Sequence, residues 1–222
     1  MPSRPGRVER SSADKIMAEA ERLFGRHGLD GVSLRQIGAA AGSGNNYAVQ
    51  YHFGDAAGLV RAILARRMAE VDRLQAFLLD RLEAEGGTDD IGRLVDMTLR
   101  PLLEPVDEHG ERVYARFVVA LLNSPEGPRY FRELFHLSQS GLRIQSLILA
   151  ALPHVPPAVF IERLRLIAIM VLSSAFNRAP PLAPSTPDAA QIDDALRMAT
   201  AGLMAAAGPA SKPPAAEPPD EP

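Results

Sequence analysis

The sequence predicts an all-α protein of about nine helices, with a short N-terminal three-helix unit followed by a larger helical domain. Apolar residues recur three and four positions apart along most of the chain, which is the spacing of amphipathic helices. No long segment alternates apolar and polar residues with the period of two that is typical of strands. With 222 residues, 46% of them hydrophobic, the chain is long enough for one large or two small domains with real cores.

The first two helices have recognisable start and stop signals. The first is expected to follow a cap at Ser11 or Ser12 and to end before Gly28. The second opens at Ser33, and Gln36 three positions later completes the pattern of a capping box. Both helices place apolar residues on one face: Ile16, Ala20, Leu23 and Phe24 in the first, and Leu34, Ile37 and Ala41 in the second.

The stretch GSGNNYAVQYHF, residues 42–53, concentrates uncharged hydrogen-bonding side chains in a chain otherwise rich in Leu, Ala and charge. Its glycines indicate a turn, after which a third short helix is expected over 45–53. At about 100° per residue, one arc of this helix collects Ala48, Val49, His52 and Phe53, and the opposite arc collects Asn46, Tyr47, Gln50 and Tyr51. Two short helices joined by a glycine-containing turn form a helix-turn-helix unit.

The outward arc of the third helix has the chemistry needed to read DNA. Asn and Gln can pair with the N6/N7 edge of adenine, and Tyr can contact a phosphate or a thymine methyl group. Ser33 and Arg35, at the positive end of the second helix, could meet the flanking phosphates. The residues alone leave a second interpretation open, in which this is an ordinary amphipathic surface helix.

Residues 16–64, IMAEAERLFGRHGLDGVSLRQIGAAAGSGNNYAVQYHFGDAAGLVRAIL, resemble the DNA-binding domain of the TetR/AcrR family of bacterial transcriptional regulators. The similarity lies in the LF and HG pairs near the end of the first helix, the segment IGAAAG, a helix that ends in Tyr-His-Phe-Gly, and the Leu-rich helix that follows. The rest of the chain matches the family only in length and helix count.

The resemblance implies a homodimer that places one recognition helix per subunit in successive major grooves of double-stranded DNA. It also implies a larger C-terminal domain that binds a small-molecule effector. By position, Asn45 would cap the recognition helix, Val49 and Phe53 would be core, and His52 would lie beside the DNA backbone. The residues that would contact DNA are Asn46, Tyr47, Gln50 and Tyr51, with Ser33, Arg35 and Gln36 from the second helix. Gln50 stands where family members usually carry a phosphate-binding Tyr.

The net charge of the chain is −3, but positive charge gathers at the N-terminus as Arg4, Arg7 and Arg10 against Glu9. Such an arm can contact DNA through its local field, so Arg4 and Arg7 are candidate DNA-binding residues, although charge alone fits a solvated terminus equally well. The chain has no cysteine, which excludes disulfides and thiolate metal sites. With no secretory signal or membrane span visible, a cytoplasmic protein is expected.

Beyond residue 55 the sequence predicts helices up to a Pro-rich tail. Asp55 caps a long helix to about Glu85, and Pro101 should kink or end the helix that follows. The later helices are expected over 89–104, 108–123, 128–152, 157–178 and 188–207. The predicted domains are a basic flexible arm (1–11), a helix-turn-helix DNA-binding domain (12–55), a ligand-binding and dimerisation domain (56–207) and a disordered tail (208–222).

An effector site is expected among the middle helices, with Phe117, Phe131, Phe135, His136 and Gln139 as the candidate ligand-binding residues. Because few charges fall on the predicted inner faces, the ligand is expected to be small and apolar. Phe residues at helical spacing are also what an ordinary core contains, and that alternative stays open.

Catalysis is not expected, and neither is a metal or cofactor. Glu133 and His136 have the Glu-x-x-His spacing of a metal-binding helix face, but the second pair that a di-iron bundle needs is missing. No HExxH, GxSxG or phosphate-loop motif occurs, and the GSG at 42–44 follows a helix rather than a strand. The remaining alternative is a helical protein-interaction or ligand-carrier module without operator binding. The apolar last helices, 157–178 and 188–207, fit both readings, because in the family these helices form the dimer interface.

Overall fold

A computed structural model describes residues 11–43, 47–107, 109–176 and 188–207. Over these ranges the chain forms ten α-helices, one short 3-10 helix and no strand. The helices are α1 Ser12–His27, α2 Leu34–Ala40, α3 Ala48–Phe53, α4 Ala56–Ala84, α5 Ile91–Leu99 (followed by the 3-10 helix Arg100–Leu102), α6 Val113–Leu122, α7 Gly127–His136, α8 Gln139–Ala151, α9 Pro157–Ser174 and α10 Asp188–Met204. The all-α prediction is confirmed, with one α-helix more than expected in the described ranges.

The helix starts use the signals that the sequence predicts. Ser11 Oγ accepts a hydrogen bond from the backbone N–H three residues on at 3.1 Å, and Asp55 Oδ1 does the same at the start of α4 at 2.6 Å. Ser33 N donates to Gln36 Oε1 at 2.8 Å while Gln36 N donates to Ser33 Oγ at 3.3 Å, which completes the capping box. Gly28 follows α1 with a φ of 78°, a conformation that favours glycine.

The single helix predicted over 128–152 is in fact two helices. Ser138 starts α8 as its N-cap, with Oγ accepting from Gly141 N at 2.8 Å. The carboxylate of Asp72 on α4 accepts from Ser140 N at 2.9 Å. These acceptors satisfy the orphan N–H groups of a new helix start, and one of them comes from a distant helix, so periodicity along the chain does not reveal it.

Two further helix bounds differ from prediction for local reasons. The helix α6 begins at Val113, five residues later than expected, because the preceding residues form a turn. In that turn Asp107 Oδ1 accepts from the backbone N–H of His109 at 2.9 Å and of Glu111 at 2.8 Å. Pro101 ends the regular helix as expected and lies in the 3-10 helix that follows α5.

The N-terminal unit packs on the larger domain through α1, which contacts α6 and α4. Gly25 permits a close approach, since a Cβ there would lie 3.1 Å from both Arg116 Cβ and Phe117 N. The rings of Phe24 and Phe117, both fully buried, lie 6.3 Å apart between centroids. The buried core therefore runs without a break from α1 into the larger domain.

A buried ion cluster also ties α1 to α4. Glu21 is only 1% exposed, and its carboxylate accepts from Arg67 Nη2 at 3.0 Å and from Arg66 Nη2 at 3.4 Å. Burial raises the pKa of Glu21, against the opposing attraction of the two guanidinium groups. The Arg67 guanidinium lies 5.7 Å from the ring centroid of Tyr114 on α6. The Tyr114 hydroxyl in turn donates to Met68 Sδ at 3.5 Å.

The last two helices, α9 and α10, pack against each other. Both leave apolar side chains at the surface: Leu166 is 52% exposed and Met198 is 59% exposed. The predicted tail from 208 onward lies outside the described residues. Among the helices described, none is both long enough and apolar enough to span a bilayer.

Candidate DNA-binding surface

Helices α2 and α3 pack against each other across a turn at Gly42, which has a φ of 70°. Gly42 N donates to Ala39 O at 3.1 Å, and Ser43 N donates to Gly38 O at 3.0 Å. A Cβ added at Gly38 would lie 3.4 Å from Val49 Cγ2, and Val49 is only 1% exposed. Val49 thus anchors α3 on α2.

The outer face of α3 is polar and uncharged. Tyr51 is 85% exposed and Tyr47 71% exposed, and Gln50 is also exposed, whereas Phe53 is partly buried against the core. This separation agrees with the helical projection of the sequence. The exposed tips carry hydroxyl and amide groups, each of which can donate and accept hydrogen bonds.

The helix α3 is shorter than predicted, and His52 differs from the helical projection. The helix begins at Ala48, with Tyr47 at the N-cap position making no side-chain cap bond, while Asn45 and Asn46 lie outside the described residues. The projection puts His52 with the core residues, but its side chain is exposed and its ring meets that of Tyr51 edge-on at 5.2 Å. An imidazole in solvent avoids the cost of burying its nitrogens without partners.

The start of α2 supplies the cationic part of the surface. The side chains of Ser33 and Gln36 are held in place by their mutual cap, in which Ser33 Oγ donates to Gln36 Oε1 at 2.7 Å. Arg35 is exposed and forms no ion pair with any residue in the described ranges. Its guanidinium is therefore available to an anion such as a DNA phosphate. Arg4 and Arg7 lie outside the described residues.

A cavity lies in the larger domain, among helices α4 to α9. Its volume is about 40 Å³. The described lining contains no charged side chain, and its polar side chains are those of Gln75, Thr98 and Ser138. Apolar side chains such as those of Met68 and Phe131 form the remainder.

The candidate ligand-binding residues from the sequence are distributed differently around this cavity. Phe131 lines it, but Phe117 is buried against α1 and is absent from the described lining. His136 and Gln139 are exposed, because the break at Ser138 changes which face of the chain points inward. The side chain of Phe135 is outside the described part of the structure.

Gln75 is one of the lining residues that the sequence did not lead us to expect. It occupies a position in the buried stripe of α4, in which the other members are apolar and follow at helical spacing: Leu64, Met68, Val71, Leu79 and Leu82. The signal in the sequence that could have identified Gln75 is a single amide side chain within an otherwise apolar stripe. Such a group is costly to bury unless it is hydrogen-bonded, so its presence in the stripe indicates hydrogen-bond partners in the interior.

Comparison with known proteins bears mainly on the N-terminal unit. Residues 16–63 match the family model described as bacterial regulatory proteins, tetR family. The fold is similar to that of the crystal structure of Mycobacterium smegmatis AmtR, with a TM-score of 0.52 and 20% sequence identity over 92% of each chain. Curated protein sequences gave no match. The matched segment runs from α1 into α4 and includes the whole of the surface formed by α2 and α3.

Proposed function

Since residues 16–63 make this chain a member of the tetR family of bacterial regulatory proteins, we propose that this DNA-binding transcription regulator is a repressor. It binds a palindromic operator near its own gene as a homodimer and is released by a small, apolar effector, without catalysing a reaction. The observation that carries the proposal is the exposed, uncharged outer face of α3, which buried Val49 anchors on a helix-turn-helix unit.

In this proposal α3 enters the major groove and α2 crosses the DNA backbone. The Gln50 amide pairs with the N6/N7 edge of adenine, and Tyr47 and Tyr51 contact phosphates or a thymine methyl group. Arg35 binds a flanking phosphate. The remaining proposed contacts are Ser33, Gln36, Asn45, Asn46 and His52, with Arg4 and Arg7 on an N-terminal arm that adds sequence-independent attraction.

The proposed dimer forms through α9 and α10. Exposed apolar side chains on both helices, including Leu166 and Met198, would lose their contact with water in the dimer. Such a dimer places its two copies of α3 about one helical turn of DNA apart, which calls for an operator with two inverted half-sites. Residues 12–55 thus serve as the DNA-binding domain and 56–207 as the dimerisation and effector domain.

The substitution Leu166→Glu is expected to convert the dimer to a monomer. Leu166 is 52% exposed in the single chain, and a carboxylate there would be buried without a partner in the interface. We expect the dimer dissociation constant to rise at least about thirtyfold, as measured by analytical ultracentrifugation. Leu137→Glu, at a site 41% exposed and outside α9 and α10, is the matched control. An unchanged dimer in Leu166→Glu would exclude this interface.

The effector is proposed to act from the cavity on α1 through a short chain of contacts. Met68 lines the cavity and accepts the hydrogen bond of Tyr114. The Tyr114 ring lies under Arg67, which pairs with buried Glu21 on α1. A ligand that displaces Met68 would therefore disturb the packing of α1 on the larger domain and change the spacing of the two recognition helices. A coupling of about 1 to 3 kcal/mol would change operator affinity about 5- to 150-fold.

The direct test is to select binding sites from random duplex DNA with the full-length chain and to measure affinity for the selected sequence by fluorescence anisotropy at several salt concentrations. We expect an inverted repeat and an affinity that falls steeply with salt, since phosphate contacts release counterions. A protein-interaction or ligand-carrier module would select no consensus and show no salt-sensitive binding, and that result would overturn the proposal. Reporter expression with and without the gene distinguishes repression from activation.

A further inference from the structure

The hydrogen bonds around Ser138 leave one buried acceptor at the cavity without a proton. The Ser138 hydroxyl lies 2.7 Å from Asp72 Oδ1 and 2.8 Å from Gln75 Oε1. A hydroxyl has one proton to donate, so it can satisfy only one of these two acceptors. Its own oxygen already accepts from Gly141 N at 2.8 Å.

The Ser138 hydroxyl donates its one proton to the carboxylate of Asp72 and not to the amide oxygen of Gln75. Burial works against the charge of this carboxylate, but hydrogen bonds from Ser138 and Ser140 hold the pKa of Asp72 below its usual value. The carboxylate is therefore ionised near neutral pH, and a charged acceptor takes a shared proton in preference to a neutral amide oxygen. Gln75 Oε1 is left facing the lone pairs of the Ser138 oxygen.

Rotating the Gln75 amide does not remove this mismatch. Gln75 Nε2 lies 3.3 Å from both Met97 O and Thr98 O, so its two protons have carbonyl partners. The flipped amide would set its oxygen against those two carbonyl oxygens. Gln75 is 3% exposed, so bulk solvent cannot supply the missing donor.

The other polar side chains of the described lining already donate their protons to acceptors of the protein. Thr98 Oγ1 donates to Leu94 O at 2.9 Å, and the Ser138 proton is used as described. Toward its interior the cavity thus offers only acceptors, set in an apolar wall without charged side chains. A ligand carboxylate or carbonyl would find no donor there, and a cationic ligand would lose its hydration in an apolar space.

From this geometry we infer that the cavity binds a small, neutral, mainly apolar molecule that carries a hydroxyl group, an alcohol or a phenol, and that this hydroxyl donates to Gln75 Oε1. The inference deepens the proposed function, because it rests on the cavity being the effector site and adds the chemical class of the effector. A cavity needs about 10 to 15 Å³ to hold one water, so a cavity of 40 Å³ suits a molecule of roughly one six-membered ring.

The test compares phenol with toluene, which differ by a hydroxyl in place of a methyl group. Their affinities for the full-length protein are measured by titration calorimetry. Each binding free energy is then corrected for the transfer of the ligand between water and cyclohexane, so that the comparison starts from a solvent that forms no hydrogen bonds. On that scale we expect phenol to bind at least about tenfold more tightly than toluene, and benzoate not to bind. Equal corrected affinities of phenol and toluene would overturn the inference, and so would binding of benzoate as tight as that of phenol. So would the absence of phenol binding up to its solubility.

Two variants locate the site. Gln75→Leu replaces the amide with an apolar side chain of similar length and removes the acceptor, so the phenol-to-toluene preference should fall by about tenfold or more. Ala168→Leu, at another residue of the cavity lining, should block both ligands, and circular dichroism checks that each variant is folded. A preference that survives in Gln75→Leu would place the hydroxyl elsewhere and contradict the assignment; if that variant does not fold, the comparison of ligands on the natural chain still decides.

The calorimetry contains no DNA, so its outcome is separate from that of the operator experiment. A chain that binds phenol but selects no DNA site would refute the proposed repressor and keep the ligand class. A chain that binds an operator but not phenol would keep the proposed repressor and refute the ligand class. Adding phenol to the anisotropy measurement then shows whether occupancy of the cavity weakens operator binding.

Discussion

Replacing Arg67 with methionine is expected to lower the free energy of unfolding at pH 7 by about 3 to 5 kcal/mol. The Glu21 carboxylate, 1% exposed, would lose its closest cationic partner and keep only the longer contact to Arg66 at 3.4 Å. A buried charge left with one long ionic contact costs far more than a lost surface pair, because that contact compensates for only part of its desolvation. Urea unfolding followed by circular dichroism measures the change.

The size of this loss should depend on pH. Burial already raises the pKa of Glu21, and removing Arg67 raises it further, so the folded-state value exceeds the unfolded one. The protonated acid is tolerated in the folded state, and stability is lost as pH rises through the folded-state pKa. Because the unfolded state is the same for both chains, the difference between variant and natural chain should be full above the folded-state pKa of the variant and shrink as the pH falls from there toward the lower folded-state pKa of the natural chain.

Controls separate the buried charge from the loss of packing. The double variant with Glu21→Met and Arg67→Met removes both charges and should recover most of the lost stability, since apolar replacement of a buried pair is often near neutral. Arg93→Met, which breaks an exposed pair with Glu85 at 2.7 Å, should change stability little. A double variant as unstable as Arg67→Met, or a loss independent of pH, would contradict this account.

The substitution Gln50→Ala is expected to weaken operator binding by about 1 to 3 kcal/mol for each half-site, and by up to twice that for the dimer. Gln50 is exposed on α3, beside the buried anchor Val49, and its amide is suited to the N6/N7 edge of adenine. The loss should be accompanied by relaxed discrimination at one base position in each half-site. Competition binding with operators that are substituted one position at a time measures both effects.

Two variants serve as references for Gln50→Ala. Arg35→Ala should weaken binding to all sequences alike and reduce the salt dependence, because Arg35 is proposed to contact a phosphate. Gln139→Ala removes another exposed amide, on α8, and should leave binding unchanged. An unaltered base-preference profile in Gln50→Ala would remove Gln50 from the reading face of α3.

Local signals in the sequence were sufficient for the N-terminal unit. The caps at Ser11, Ser33 and Asp55 depend on residues within three positions, and the two faces of α3 follow from the helical period except at His52, which is exposed. For the same reason the outward placement of Gln50 could be predicted, whereas the shorter extent of α3 could not. DNA contacts remain predictions throughout, since they depend on a partner that the fold by itself does not describe.

The larger domain was harder to predict because its decisive contacts are long-range. The boundary between α7 and α8 depends on Ser138, which is bound by Asp72 sixty-six residues earlier, and this boundary turns His136 and Gln139 outward. The partners Glu21 and Arg67 are forty-six residues apart. A cavity is what remains where several helices fail to fill the space between them, and no pattern within one helix specifies it.

The close approach of α1 and α6 at Gly25 has a consequence for building hybrid regulators. A recognition unit taken from a relative and joined to this effector domain would fit without adjustment only if it carried glycine at the same position. The Cβ of alanine would lie 3.1 Å from Phe117 N, so α1 and α6 would have to move apart by a few tenths of an ångström. Such a hybrid could fold and bind both its ligand and its DNA while failing to transmit one event to the other, so position 25 is the first to check when domains of this architecture are exchanged.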